Sequence, residues 1–244
     1  MSHPRPHNRK TDELRPLSFK RRYTRQAPGS VLVRHGRTVV LCTCCIDQTV
    51  PPFLVGKGQG WLSAEYGMLP GSTSTRKSRD KGGKVDGRSV EIQRLIGRSL
   101  RAVVDLGKLG ERTLWLDCDV LEADGGTRTA SINGAFVALV DALTTLKDVI
   151  GPANMVVKDS VAAVSVGLLD DVELLDLEYV EDRDAEVDLN LVMTGSGQFV
   201  EVQGTGEEAT FSRSQLDRLL KLGKVGIDAI ARKQKEALGT AWPL

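Results

Sequence analysis

The six residues Asp124-Gly125-Gly126-Thr127-Arg128-Thr129 have the types and order of an anion cradle. The alternation from Leu114 to Leu121 predicts a strand, and a helix is predicted directly after the glycines, from about Thr129 to Lys147. The unpaired N–H groups of a helix start point outward, and the helix dipole favours an anion there. Glycines let the backbone approach a ligand closely. Thr127 adds a hydroxyl, and Arg128 adds a planar fork of donors suited to a tetrahedral oxyanion. The competing reading is a tight strand-to-helix turn with a surface arginine. Arg88 follows Asp86-Gly87, opens a second helix, and is a further candidate for the same anion.

A second group of residues could hold a cation. Residues 170–188 carry Asp170, Asp171, Glu173, Asp176, Glu178, Glu181, Asp182, Asp184, Glu186 and Asp188 against Arg183 alone. Asp182 and Asp188 fall at the end of one predicted strand and just before the next. Two carboxylates on such a turn can share Mg2+ or Mn2+, with waters and substrate oxygens completing the shell. Asp176 is an additional ligand option. On pattern alone, a charged surface turn is the stronger reading.

The chain offers little else for catalysis. Of its three histidines, His3 and His7 lie in a basic N-terminal tail expected to be mobile, and His35 sits at a predicted His35-Gly36 turn. A serine or cysteine nucleophile therefore lacks a candidate base. Cys42, Cys44, Cys45 and Cys118 do not have zinc-site spacing and read as small buried thiols in a reducing compartment.

The elements that must position these residues follow from periodicity and turn signals. Ser30–Arg34 and Arg37–Cys42 predict a hairpin about His35-Gly36, and Trp61–Tyr66 a short strand in a Gly-, Ser- and Lys-rich segment, 55–87, too long for an idle connection. Residues 89–105 predict a helix, with Ile92, Leu95, Ile96, Leu100, Val103 and Val104 on one face and Arg94, Arg98 and Arg101 on another. Val161–Leu169 and Val172–Val180 predict a hairpin about Asp170-Asp171. Leu189–Thr194 and Gln198–Gln203 predict another about Gly195-Ser196-Gly197. A last helix runs from the Ser212 N-cap to Leu238. The order is mixed α/β (α+β), not a doubly wound parallel sheet. Residues 1–244 read as one domain with two subregions, about 10–146 and 156–240, and an internal duplication is open, though no sequence repeat supports it.

Composition and charge bound the function. A 41% hydrophobic and 27% charged chain is ordinary for a globular protein, and no apolar run reaches membrane length, so cytoplasmic location is the expectation. The net charge is only +1, but basic residues concentrate in 5–25 and 76–101, opposite in sign to the acidic block. Basic blocks point to a polyanion, and solvated helix faces are the competing reading.

At this point longer motifs become decisive. Asp12-Glu13-Leu14-Arg15-Pro16, Gly29-Ser30-Val31-Leu32-Val33, Gly58-Gln59-Gly60-Trp61, Ala64-Glu65-Tyr66-Gly67-Met68-Leu69-Pro70, Glu91-Ile92-Gln93-Arg94-Leu95-Ile96-Gly97-Arg98, Leu116-Asp117-Cys118-Asp119-Val120-Leu121, Ala123 through Ile132, and Asp176 through Asp182 together resemble the ribonuclease PH family over nearly the whole chain. The resemblance implies a mixed α/β unit of the kind also seen in a ribosomal small-subunit protein, with split β-α-β units. It implies a phosphate-dependent 3′-to-5′ exoribonuclease that trims tRNA precursors, with inorganic phosphate as co-substrate, acting as a hexamer of three dimers. It places phosphate on Arg88, Gly126, Thr127 and Arg128, and the metal-binding catalytic pair on Asp182 and Asp188. It places the tRNA-gripping basic loop on about residues 69–84, with Arg76 and Arg79; Arg94 and Arg98, on the basic face of the 89–105 helix, are further candidate RNA contacts. Two departures stand out. Arg5-Pro6-His7-Asn8-Arg9 replaces the usual Arg-x-Asp-Gly-Arg and leaves the tail's contacts open, and Gly71 stands where an arginine often follows Met-Leu-Pro. A hydrolytic metal nuclease and a non-catalytic RNA-binding ring subunit are the alternatives.

Overall fold

A computed structural model describes residues 5–79, 86–207 and 209–244. Strands β1 (Leu17–Arg21), β2 (Gly29–His35), β3 (Thr38–Asp47), β4 (Trp61–Met68) and β5 (Thr113–Glu122) form one sheet in the order β1-β2-β3-β5-β4. The β2–β3 hairpin closes at Gly36, whose φ of 60° suits a residue without a side chain. Strands β4 and β5 are parallel, so helix α1 (Gly87–Ala102) crosses between them as a β-α-β unit; the short α2 (Leu106–Leu109) precedes β5.

Helix α3 (Thr127–Thr145) begins two residues earlier than the periodicity suggests, because Gly126 adopts a left-handed φ of 64° at the N-cap. This puts Thr127 and Arg128 in the first helical turn. From Thr129 to Leu143 every residue of α3 is buried, so the helix is a central layer with no solvent face. It lies close on the first sheet at Gly134, where a Cβ would come within 2.1 Å of Val33 and 2.7 Å of Cys42. On its other side Asn133 donates to the carbonyl of Ala163 at 2.9 Å and accepts from its N–H at 2.8 Å, pinning α3 to the second sheet. Cys42, Cys44 and Cys118 are buried in this same core, and Cys45 is half-buried.

After the short α4 (Lys147–Ile150), strands β6 (Val161–Leu169) and β7 (Val172–Leu175) are followed by helix α5 (Tyr179–Asp184), strands β8 (Val187–Thr194) and β9 (Phe199–Gly206), and helix α6 (Arg213–Leu238). The second sheet is antiparallel in the order β7-β6-β8-β9, so it differs from the first in strand number and pairing. Strand β6 is buried throughout: Val161 and Ala163 face the α3 layer, while Ala162, Val164 and Val166 face α6 with Leu219, Ile227 and Ile230. Ser212 caps α6 reciprocally with Gln215.

The structure corrects four local expectations. Strand β7 stops at Leu175 instead of running to Val180, because Asp176 turns the chain with a φ of 57° and Glu178 with Glu181 form a capping box that starts α5. Asp182 is therefore on a helix, not on a strand-to-strand turn. Helix α1 ends at Ala102, and Val104 pairs with Val157 in an isolated bridge. His35 is not in the turn but ends β2, and is 1% exposed. The segment from Arg5 to Arg9 is packed: both arginines are buried, and His7 and Asn8 make the turn between them at φ of 59° and 55°. His3 and the Lys81–Lys84 part of the basic loop lie outside the described residues.

Candidate active site

Where β5 runs into α3, and β7 into α5, the two sheets open onto a cleft of about 1390 Å³. Arg88, Gly126, Thr127, Arg128, Asp182 and Asp188 all line it. These residues come from α1, the β5–α3 turn, α5 and β8, and it is the packing of four elements that brings them together.

The anion side is built on the start of α3. Gly126 carries no side chain to cap the helix, so its first N–H groups face the cleft without a side-chain acceptor. Thr127 is nearly buried, and its Oγ1 lies 2.9 Å from the buried Tyr66 hydroxyl on β4. Arg128 is held edge-on: its Nη1 donates to Glu91 Oε1 at 3.1 Å and to Gln203 Oε1 at 2.6 Å. Gln203 also donates to Glu91 at 3.0 Å, closing a three-element contact among α1, β9 and α3. Arg88 lies one turn before Glu91 and is exposed in the cleft.

The acid side is Asp182 and Asp188. Burial, then the neighbouring Asp182, push the Asp188 carboxyl up to about 6, against relief from Arg128 and a long contact to Asn190 at 3.3 Å. Burial also raises Asp182, with Arg88 and Arg128 opposing. Two half-buried carboxylates whose charge burial disfavours are a hard-oxygen donor set. Among the described residues no group of three or more His, Cys, Asp or Glu side chains is arranged for a metal ion. The pair therefore fits an ion that keeps waters and takes substrate oxygens, as Mg2+ does.

Asp176 does not join this pair. It is 1% exposed, accepts from Arg15 through Nε at 3.0 Å and Nη2 at 2.8 Å, and lies 3.0 Å from His35 Nε2. Burial would raise its carboxyl, but His35 and Arg15 outweigh that and hold it well below the usual carboxylate range. It is a structural anion, and the expectation of a third metal ligand is corrected. The tail arginines are also engaged. Arg5 donates to Glu181 Oε1 at 2.7 Å and Oε2 at 2.9 Å, and Arg9 to Oε2 at 2.9 Å. The two arginines shared by the usual pattern and by this chain make the contacts, and the altered residues between them only turn.

The predicted RNA contacts lie apart from the cleft lining. Arg76, Arg79 and Arg94 are exposed, and Arg98 is paired with Glu201 through Nε at 2.7 Å. Sequence reasoning did not single out Tyr66, Glu91 or Gln203. The signals for two were present, since Tyr66 sits in the Ala64–Pro70 motif and Glu91 falls one helical turn after Arg88. Among the described residues no helix is long and apolar enough to cross a membrane.

The model of the 3′ exoribonuclease family matches this chain in two parts, domain 1 over residues 13–144 and domain 2 over residues 159–226. Ribonuclease PH of Rhodopirellula baltica is 54% identical over 241 residues, 97% of this chain and 96% of that protein. The chain belongs to the ribonuclease PH family. Ribonuclease PH of Listeria monocytogenes serotype 4a is 56% identical over 233 residues, covering 95% and 94% of the two chains. Among solved structures, rice Rrp46 superposes with a TM-score of 0.77 at 19% identity, covering 96% of this chain and 100% of that one. The Archaeoglobus fulgidus exosome with RNA bound to the active site gives 0.78 at 21%, covering 95% and 92%. At those identities the two structures establish the shared fold.

Proposed function

We propose that the cleft holds inorganic phosphate on Arg88, Arg128, Thr127 and the backbone N–H groups from Gly126 to Arg128, and a divalent cation on Asp182 and Asp188, with the 3′ end of an RNA between them. The activity is that of a phosphate-dependent 3′-to-5′ exoribonuclease of tRNA processing. The observation that carries the residue assignment is the convergence of two arginines, an uncapped helix start and two mutually repelling carboxylates on one cleft.

A phosphate oxygen attacks the last phosphodiester in line. The bond to the penultimate 3′-oxygen breaks, a nucleoside diphosphate leaves, and the RNA is one nucleotide shorter. The nucleophile is a substrate, so the protein needs no activated serine, cysteine or histidine. Its contribution is orientation and charge neutralisation. Arg88 and Arg128 offset the negative charge that would otherwise keep phosphate away from an RNA phosphodiester. Tyr66 fixes the Thr127 hydroxyl, and Glu91 with Gln203 fix Arg128 while leaving its other edge free. A bound Mg2+ or Mn2+ would supply charge screening at the scissile group and the departing oxygen. Arg76, Arg79, Arg94 and Arg98, exposed and outside the cleft lining, grip the body of the tRNA. The assembly is a homohexamer, a trimer of dimers, in the cytoplasm.

Arg128→Ala tests the assignment. It should cost about 10²-fold or more in kcat/KM for phosphate, the loss typical of a charged donor to a transferring oxyanion, while the melting temperature stays near that of the parent. Unchanged phosphorolysis in a folded Arg128→Ala protein would remove Arg128 from the site.

A further inference from the structure

Beneath the cleft lies a buried ionic network that the reaction as described does not use. Arg5, Arg9 and Arg15 meet Glu181, Asp176 and His35, and each of the six residues is between 1% and 9% exposed. Charges this deep cost several kcal/mol each to strip of water, so stability alone is a weak reason to bury six of them. What forked charge pairs add is a fixed direction and register.

Both ends of the network reach the cleft. Glu181 takes the fork of Arg5, one nitrogen of Arg9 and, at 3.0 Å, the N–H of Glu178, and the next residue in the chain is Asp182. Arg15 binds the Asp176 carboxylate through its side chain and, at 2.7 Å, through its backbone N–H; its Nη1 donates to the carbonyl oxygen of Asp124, which opens the glycine turn. One side chain thus spans the gap between the aspartate-bearing segment and the anion turn. The turn also rests directly on that segment. A Cβ at Gly125 would stand 2.7 Å from the Leu177 carbonyl oxygen and 2.8 Å from Tyr179 N, so only glycine allows the contact.

We propose that Arg5, Arg9 and Arg15 are positioning residues for phosphorolysis: through Glu181 the first two set the helix that carries Asp182, and Arg15 sets its distance from the phosphate turn. This rests on the assignment of Asp182 and Asp188 given above. The reacting groups come from separate elements, and misplacement by about 0.5 to 1 Å is enough to slow such a reaction by one or two orders of magnitude. The 5–15 segment, far from the reacting atoms in sequence, is the part that fixes their spacing.

The test replaces the ions with apolar side chains of similar length. The triple variant Arg5→Met, Arg9→Met, Glu181→Met keeps the interior filled and buries no unpaired charge of its own, but it strips donors from the carbonyls of Lys10, Leu175 and Asp176 and removes the α5 capping box, so it should fold with a lower melting temperature than the parent. Its kcat on a 3′-extended tRNA should fall about tenfold or more at saturating phosphate, while KM for phosphate stays within about threefold, because Arg88 and Arg128 are untouched. Arg15→Lys, which cannot reach both Asp176 and Asp124, should lower kcat and raise KM for phosphate together. A folded triple variant with parental kcat overturns the proposal, since a network that only stabilises would leave turnover per folded molecule unchanged. If the triple variant does not fold, Arg5→Lys decides: it keeps the charge and loses the fork, and unchanged kcat again overturns the proposal. Asp182→Asn is run beside them. If it keeps its activity, the reading of the aspartate pair fails; if it is inactive while the network variants keep kcat, only the positioning role fails.

Discussion

Asp188→Asn should stabilise the protein while destroying its activity. Burial and the neighbouring Asp182 raise the Asp188 carboxyl from an ordinary value of 3.8 to about 6. The folded chain therefore holds this proton more tightly than the unfolded chain does. Stability is lost as pH rises from 3.8 through 6, and the whole penalty stands above that window. Each pH unit is worth about 1.4 kcal/mol, so the penalty is about 3 kcal/mol, or about 2 kcal/mol after allowing for solvent reaching the half-buried group. Asparagine has nearly the shape of aspartic acid and no charge to strip of water. In a chain of this length 1 kcal/mol moves the melting temperature by about 2 to 4 °C, so the variant should melt about 4 to 8 °C higher at pH 8. The assay is thermal unfolding of both proteins from pH 4 to pH 8, with a chelator, without phosphate, and at one protein concentration. The gain should shrink steadily as pH falls, to a small remainder at pH 4, and vanish only below about pH 3, where the aspartate is neutral in both states; carboxylates common to both proteins cancel. A variant that melts below the parent at pH 8, or a gain that does not change with pH, refutes the reasoning that this acid is held against its own charge.

Other outcomes follow from the same geometry. Gly126→Ala should lower phosphate affinity and stability together by about 1 to 2 kcal/mol, because a side chain at φ 64° is strained and its Cβ would press on Arg15 Nη2 at 3.1 Å; phosphate titrations and melting curves both read this. Tyr66→Phe removes the hydroxyl beside Thr127 and should raise KM for phosphate about three- to tenfold, the worth of one buried hydrogen bond, with kcat/KM for RNA at saturating phosphate little changed. Asn133→Leu should cost about 2 to 4 kcal/mol in denaturant unfolding, since it strands both backbone groups of Ala163 between α3 and β6; a loss below 1 kcal/mol would mean that water replaces the amide.

How much of this was legible in the sequence depended on the range of the determining contacts. The β2–β3 hairpin and α6 rest on local signals, Gly36 in one and the Ser212–Gln215 capping box in the other, and both appear as expected. The mixed architecture was also readable, from the order of elements. The region from Val172 to Val180 was misread because its apolar residues continue a strand pattern, while the turn at Asp176 is imposed by Arg15 and His35, more than a hundred residues away in the chain. His35 was placed in the turn for a related reason: the local signal is Gly36, and nothing local marks a buried carboxylate partner. The tail looked mobile because arginines usually face water, and only Glu181 makes burial of Arg5 and Arg9 tolerable. The Gly-Gly-Thr-Arg turn announced an anion site by its own chemistry. Its meeting with Arg88 and the two aspartates needed the packing of α1, α3, α5 and β8, which no spacing encodes.

The central claim is that inorganic phosphate itself is the nucleophile in this cleft. The direct measurement supplies phosphate labelled with phosphorus-32, Mg2+ and a 3′-extended tRNA, and follows the label through product separation. The label should appear as the β-phosphate of the released nucleoside diphosphates, at a rate that rises with phosphate concentration, and Arg128→Ala should abolish the transfer. Unlabelled nucleoside monophosphates released at a rate indifferent to phosphate would show that water attacks instead, and would contradict the account.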